Sequence, residues 1–434
     1  MNTLNKSAGQ MEQDVLAAMS RPSPAYLAAV GLAALLFAGG LTLWGRQIAL
    51  GMGVAGITHP VGWGVYITNF VFWVGIAHSG TLISAVLLIF RARFRTSFNR
   101  AAEAMTIFAL MVAGLFPLIH LGRVWRFYYL FPYPNQRQVW VNFRSPLVWD
   151  VFAVSTYMIV SLVFFYVGMV PDLAITARRR QGFVGRIYRL LSLGWIGSQS
   201  QWRHYAKLTL FLAGFATPLV ASVHSIVSWD FAVSIIPGWH TTIFAPYFVA
   251  GAIFSGTAMV LTLVIPMRRM LKLEEYIPLD HIEAIAKILL LTSLIVTFAY
   301  IVEQGMAFYS GNLFEMEEFR FRALGHYRIL FWIMVGCNSV APLFLFIRRM
   351  RRSLVFLFIL SLLVNIGMWL ERFVIIVTSL SRDFNPYAWG NYHPSLTEFG
   401  ITAGSFGLFF LVFLLFVKTL PVLSITEIKE HNHG

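Results

Sequence analysis

The chain has 434 residues, 58% of them hydrophobic and 12% charged, with a net charge of +14. A soluble globular chain carries roughly twice that charged fraction, so a soluble protein is excluded. The cations sit in short clusters between apolar runs, which assigns the charge to membrane topology and excludes a nucleic-acid partner.

The one cysteine, Cys337, excludes structural disulfides and any iron–sulfur cluster held by this chain alone, because clusters take about four thiolates. No Cys-x-x-Cys-His run occurs, so no c-type haem is attached.

Residues 1–24 form a polar N-terminal segment that ends in Ser20-Arg21-Pro22-Ser23-Pro24. It makes a poor signal peptide, and the apolar run after it is long enough to stay as an anchor. Ten apolar runs follow, near 25–45, 65–90, 101–122, 148–170, 205–227, 242–266, 283–309, 325–347, 353–380 and 398–419. Each has about the 20 residues needed to cross hydrocarbon. The fold class is therefore an all-α polytopic membrane protein.

Arginine-rich loops alternate with poorer ones. Arg91, Arg93, Arg95 and Arg100 follow the second span, and Arg178, Arg179, Arg180, Arg186 and Arg189 the fourth. Arg268, Arg269 and Lys272 follow the sixth span, and Arg348, Arg349, Arg351 and Arg352 the eighth. The positive-inside rule puts these loops and both termini in the cytoplasm. The loops with Asp230, Glu315, Glu317, Glu318 and Asp383 then face the periplasm. The 123–147 loop breaks the pattern. Its Arg123, Arg126, Arg137 and Arg144 alternate with Trp125, Tyr128, Tyr129 and Trp140, as in a stretch facing lipid or ligand.

An internal repeat shows in His78-Ser79-Gly80-Thr81 and Phe254-Ser255-Gly256-Thr257, each followed by a basic loop. Small-residue helix packing explains the short match alone; the matching charges favour duplication. The organisation expected is a first helix and loop at 25–64, four-helix units at 65–227 and 242–380, and a last helix and tail at 398–434.

Ionisable groups in a span are costly and usually functional. His120 and Asp150 stand at the adjoining ends of two spans, with Arg123 beside them and Asp230 and His240 on the same expected face. A solvated helix-end histidine and a helix-capping aspartate are the plain alternatives. A histidine and a carboxylate at the membrane edge suit proton abstraction from a quinol. Arg123 would hold the carboxylate ionised. Phe143, Trp149 and their aromatic neighbours would line the ring pocket. Deeper lie His78, Ser79, Glu303, Glu371 and Arg372, candidates for a proton pathway or for interhelical glue. Glu371 and Arg372 are neighbours in sequence and are expected to need separate partners. No metal site is expected. A haem b is a further alternative, although no span offers a spaced histidine pair.

The stretches Asn69–Ile76, His78–Ala85, Asn99–Ala109 and Phe143–Phe152 resemble the NrfD/polysulphide reductase membrane-subunit family. Within it they are similar to the paralogous integral subunits of alternative complex III, ActC and ActF. The resemblance implies ten helices in two four-helix bundles plus flanking helices, with no haem or iron–sulfur cluster in this chain. It implies a periplasmic menaquinol or ubiquinol site whose histidine and aspartate fall on His120 and Asp150, with Asp230 as a further acid. It implies a subunit of a quinol-oxidising complex in a bacterial inner membrane. The partners implied are an iron–sulfur/molybdopterin-oxidoreductase-like subunit, multihaem and monohaem cytochrome c subunits and a paralogous NrfD-like subunit. The His120/Asp150 pair favours the quinol-binding ActC. A non-quinol-binding paralogue serving as a proton pathway is the alternative.

Overall fold

The computed structural model describes residues 6–19, 22–132 and 143–433, and every regular element among them is helical. Arg21, Arg137 and Trp140 lie outside the described residues. α1 (Ala8–Ala17) and α2 (Pro24–Leu50) open the chain. α3 (Val65–Ile89), α4 (Asn99–His120), α5 (Pro146–Arg179), the short α6 (Gly182–Leu191) and α7 (Gln199–Ala232) follow. Then come α8 (Phe244–Met270), α9 (Leu279–Ser310), the short α10 (Leu313–Ala323), α11 (Arg328–Phe346) and α12 (Leu354–Ser381). α13 (Leu396–Thr419) and α14 (Ile425–His433) close it. All but α1, α6, α10 and α14 are long and apolar enough to cross a membrane, and they are the ten spans expected.

Hydrocarbon offers the backbone no hydrogen bonds, so each apolar run satisfies its own as a helix. The ends are written locally. Pro24 and Pro146 sit at first-turn positions that need no N–H. Ser198 with Gln201, and Ser395 with Glu398, close capping boxes on α7 and α13.

α3 and α8 run through the middle, where most of their length is buried, while α2 is mostly exposed. They cross where the two Ser-Gly-Thr runs meet. A Cβ built on Gly256 would lie 2.3 Å from Ser79 Oγ, so only glycine permits this approach. Three spans widen into single π turns, at Leu82–Val86 in α3, Gly336–Val340 in α11 and Val374–Thr378 in α12. Such turns are frequent at functional sites.

The arginine-rich face is tied together by two ion clusters. In one, Arg100 bridges to Asp172 at 2.9 Å and to Glu103 at 3.4 Å. In the other, Arg352 bridges to Asp280 at 2.8 Å and to Glu283 at 2.7 Å. Asp280, Glu283 and Arg352 stand 180 positions after Arg100, Glu103 and Asp172 respectively. The placement is kept and the charges of the main pair are swapped, which supports reading the two units as a duplication. Both termini lie on this face. Glu12 pairs with Arg179, and Lys6 with Glu275. Glu427 of α14 bridges to Arg95 at 2.8 Å.

The acidic run at 315–318 differs from the solvated loop expected. It belongs to α10, which turns Glu318 and Arg322 into the protein, 1% and 2% exposed. Arg322 pairs with Glu318 and, at 2.8 Å, with Glu303 of α9, and it donates to Ser379 Oγ at 2.9 Å. Burial pushes the Glu318 carboxyl up to about 7, against the pull of Arg322.

Two outcomes follow. Gly256→Val forces α3 and α8 apart and lowers the melting temperature of the purified protein. Gly305→Ala, with open space around its position, leaves it unchanged. Glu318 holds its proton more tightly folded than at its ordinary value of 4.5. Its contribution to stability is thus full below about pH 4.5 and is lost as pH rises toward 7. A melting series from about pH 5 to about pH 7.5 should fall in the native protein and flatten in Glu318→Gln.

Candidate functional site

α4 carries Pro117 one turn before its end, and a proline there removes a backbone donor and bends the helix. The last turn is held from outside. Gln47 Nε2 donates to the Ile119 carbonyl at 3.0 Å, and the Tyr66 hydroxyl donates to Gln47 Oε1. The chain then reverses at Gly122, with φ at +72° against Met52. His120 is thereby fixed at the helix end. Its Nδ1 is buried and has no hydrogen-bond partner among the described residues.

Asp150 lies in the second turn of α5, and no acidic residue stands in the first turn. It does not cap the helix, so the plain structural role is not the one it plays. Its partner is Asp230 of α7, and the two carboxyls are within hydrogen-bond reach. Asp150 is 6% exposed. On each aspartate Oδ1 is buried and unpartnered among the described residues. Trp149 and Trp229, the residues just before them, meet edge to face at 5.9 Å.

The sequence-based set therefore divides. Asp150 pairs with Asp230, and no hydrogen bond or ion pair joins either to His120 among the described residues. Trp149 stands at the pair and donates from Nε1 to the Phe143 carbonyl at 2.6 Å, while the Phe143 ring is exposed. Arg123 is exposed and forms no ion pair among the described residues. His240 is also exposed, with Nδ1 2.8 Å from the Ser234 carbonyl.

The deeper residues form two groups. His78 of α3 touches His224 of α7 edge to face, ring centres 5.2 Å apart. That contact leaves no room for a macrocycle between the rings. Both His224 nitrogens and Ser79 Oγ are buried without partners among the described residues. The second group centres on Glu371. The Tyr300 hydroxyl donates to it, Asn338 Nδ2 donates to Tyr300 at 2.9 Å, and Arg372 pairs with Glu371 directly. The expectation that Glu371 and Arg372 need separate partners is corrected here. Long side chains on adjacent residues curl toward each other where no other counter-charge is near. Arg372 also lies over the Phe248 ring at 4.5 Å. Tyr247, Tyr300, Glu303, Arg322 and Glu371 surround a cavity of about 30 Å³, room for roughly one water. No hydrogen bond joins the two groups among the described residues.

Sequence reading missed His224 as a partner of His78, and Tyr300, Asn338 and Arg322 as partners of the buried glutamates. Arg322 carried a signal: Glu318 and Arg322 are four apart, the spacing of an ion pair on one helix face.

The chain is 25% identical over 415 residues to a candidate membrane subunit of dimethyl sulfoxide reductase from Halobacterium salinarum, covering 91% of each. It is 23% identical over 408 residues to a selenate reductase subunit from Mesobacillus selenatarsenatis, covering 89% of this chain and 92% of that one. It is 21% identical over 214 residues to the Hdr-like menaquinol oxidoreductase integral membrane subunit of Archaeoglobus fulgidus, covering 48% and 43%. None of the three is named for alternative complex III. Residues 53–382, which contain all of α3 through α12, match polysulphide reductase, NrfD, and the chain belongs to that family.

Proposed function

We propose that the chain is the quinol-oxidising membrane subunit of an oxidoreductase complex, with His120, Asp150 and Asp230 as its proton-accepting groups. The observation that carries this reading is the carboxyl pair. A buried acid and a half-buried one face each other with no cation beside them among the described residues, and each keeps a buried oxygen free for a further donor.

Oxidation of a quinol releases two electrons and two protons. A base must lie within hydrogen-bond reach of the hydroxyl it deprotonates. The free Oδ1 atoms offer one acceptor surface and His120 Nδ1 another, so the ring's two hydroxyls have separate acceptors. A hydrogen bond between two carboxyls holds one proton between them. The pair can therefore take a proton and pass it on without a bare charge in the apolar layer. Trp149 and Trp229 offer an aromatic edge beside the acids. The electrons leave to a cofactor on a partner, because one cysteine cannot ligate an iron–sulfur cluster.

The relatives named for menaquinol oxidation and for dimethyl sulfoxide and selenate reduction support a menaquinol or ubiquinol donor. They also support an iron–sulfur/molybdopterin-type partner. The sequence resemblance to the integral subunits of alternative complex III supports multihaem and monohaem cytochromes c as onward acceptors. With the arginine-rich loops in the cytoplasm of a bacterial cell, the carboxyl pair opens toward the periplasm. A second reading assigns proton movement to Glu303 and Glu371, with Arg372 paired to Glu371, and the water-sized cavity that the two glutamates line favours it.

In membranes that hold the whole complex, Asp150→Asn keeps the shape and one hydrogen bond but removes the proton acceptor. His120→Phe keeps the bulk and removes the base. Each should slow quinol oxidation by roughly 10²–10⁴-fold, and the double variant should lose little more than either single one. Near-normal turnover in Asp150→Asn, with the complex assembled, would sink the assignment.

A further inference from the structure

Below the carboxyl pair, α5 and α7 do not close on each other. Trp149, Phe152, Ala153 and Thr156 of α5 face Leu219, Ser222, Val223 and Ile226 of α7 across a groove of about 280 Å³. The reason lies in α7. Pro218 stands inside the helix at the start of the groove, and the Ser222 hydroxyl donates back to the Leu219 carbonyl at 2.9 Å. A proline and a back-bonding serine within one turn bend a helix. Ala153 and Ser222, both small, then leave the space unfilled.

Helical spacing joins this groove to the acids. Asp150 is three residues before Ala153, and Asp230 is four after Ile226 and seven after Val223. Asp150 directly follows the lining residue Trp149 and stands one turn from Ala153, and Asp230 stands one turn beyond Ile226, so both acids stand next to the groove. The groove's floor, Ala153 and Val223, is buried, while Phe152, Thr156 and Ser222 are exposed on its rim. The opening therefore faces the lipid, and beside the groove, without lining it, stand Asp150 and Asp230, each with a buried Oδ1 that is unpartnered among the described residues.

We infer that this groove seats the isoprenoid tail of the quinol, which reaches the carboxyl pair sideways from the bilayer between α5 and α7. The inference rests on the quinol reading of Asp150 and Asp230 and adds the route and the tail site. The groove's volume is below the roughly 300–1,000 Å³ that encloses a drug-sized ligand. It holds the part of the chain next to the ring, and the rest of the tail stays in lipid. Its lining is apolar apart from Thr156 and Ser222, which suits an unsaturated hydrocarbon and no headgroup.

The test uses the assembled complex and two substrates, a tailless quinol and the same ring with several isoprene units. Ser222→Trp fills the groove from its rim without touching the acids. The ratio of kcat/KM for the tailed over the tailless quinol should fall about tenfold, the scale set by a few methylene contacts. Thr156→Leu on the facing wall should move the ratio in the same direction. It serves as the second variant where Ser222→Trp fails to assemble. An unchanged ratio in both variants, which leaves the groove to ordinary lipid, overturns the inference. So does an equal loss for both substrates, which places the effect at the ring. Asp150→Asn measured alongside separates the two failures. If it is inactive and the ratio does not move, only the tail groove falls; if it is active, the quinol site falls too.

Discussion

A charge inside a bilayer protein must be answered by another charge or by several donors, and this requirement shapes the molecule. Asp172 and Glu103 lie against Arg100, Glu283 against Arg352, Glu303 and Glu318 against Arg322, and Glu371 against Arg372. Glu398 has no arginine, but it accepts from Tyr392 at 2.6 Å, from the Gly56 amide at 2.7 Å and from the Ser395 amide at 2.8 Å. Asp150 and Asp230 depart from the rule. Among the described residues they have only each other, and each keeps an unpartnered oxygen. Buried acids left without a counter-charge in an otherwise paired interior make chemical sense where a ligand completes them.

The first and second halves of the chain, the expected units, meet this requirement differently. In the second unit, α10 folds inward and fills the space between α9 and α12 with Arg322 and Glu318, leaving room for about one water. The matching connection of the first unit, between α4 and α5, carries Val124–Leu130 as a short 3-10 segment whose aromatic rings are largely exposed. Tyr300 stands 180 positions after His120 and is tied to Glu371 and Asn338, whereas His120 Nδ1 has no partner among the described residues.

The spans were legible because their signal is one-dimensional: about twenty apolar residues, then a turn, then arginines on alternate sides. His120 and Asp150 were legible for the same reason, as polar residues interrupting such runs. The Asp150–Asp230 contact was not. It joins helices that are 80 residues apart at those positions, and no spacing rule within one helix carries that information. Sequence reading therefore placed His120 opposite Asp150, while the structure sets Asp230 there. Glu371 and Arg372 were misread because helical geometry fixes where side chains leave the backbone, not where flexible ones end. The 315–318 run was expected in a loop because acidic density interrupts the apolar pattern, and burial through one arginine leaves the composition unchanged.

The C-terminal helix has a bearing on how the chain is made. Asp172 is buried with Arg100, and its remaining oxygen accepts from the Thr426 amide at 3.2 Å and the Thr426 hydroxyl at 3.0 Å, across 254 residues of chain. Six spans are synthesised between those two partners. Throughout that time one Asp172 oxygen lacks the protein partner it has in the finished fold. α5 therefore gains its full set of hydrogen bonds only when synthesis has reached α14. A chain that ends before Thr426 lacks this tie, so the last nine-residue helix closes a hydrogen-bond site begun six spans earlier.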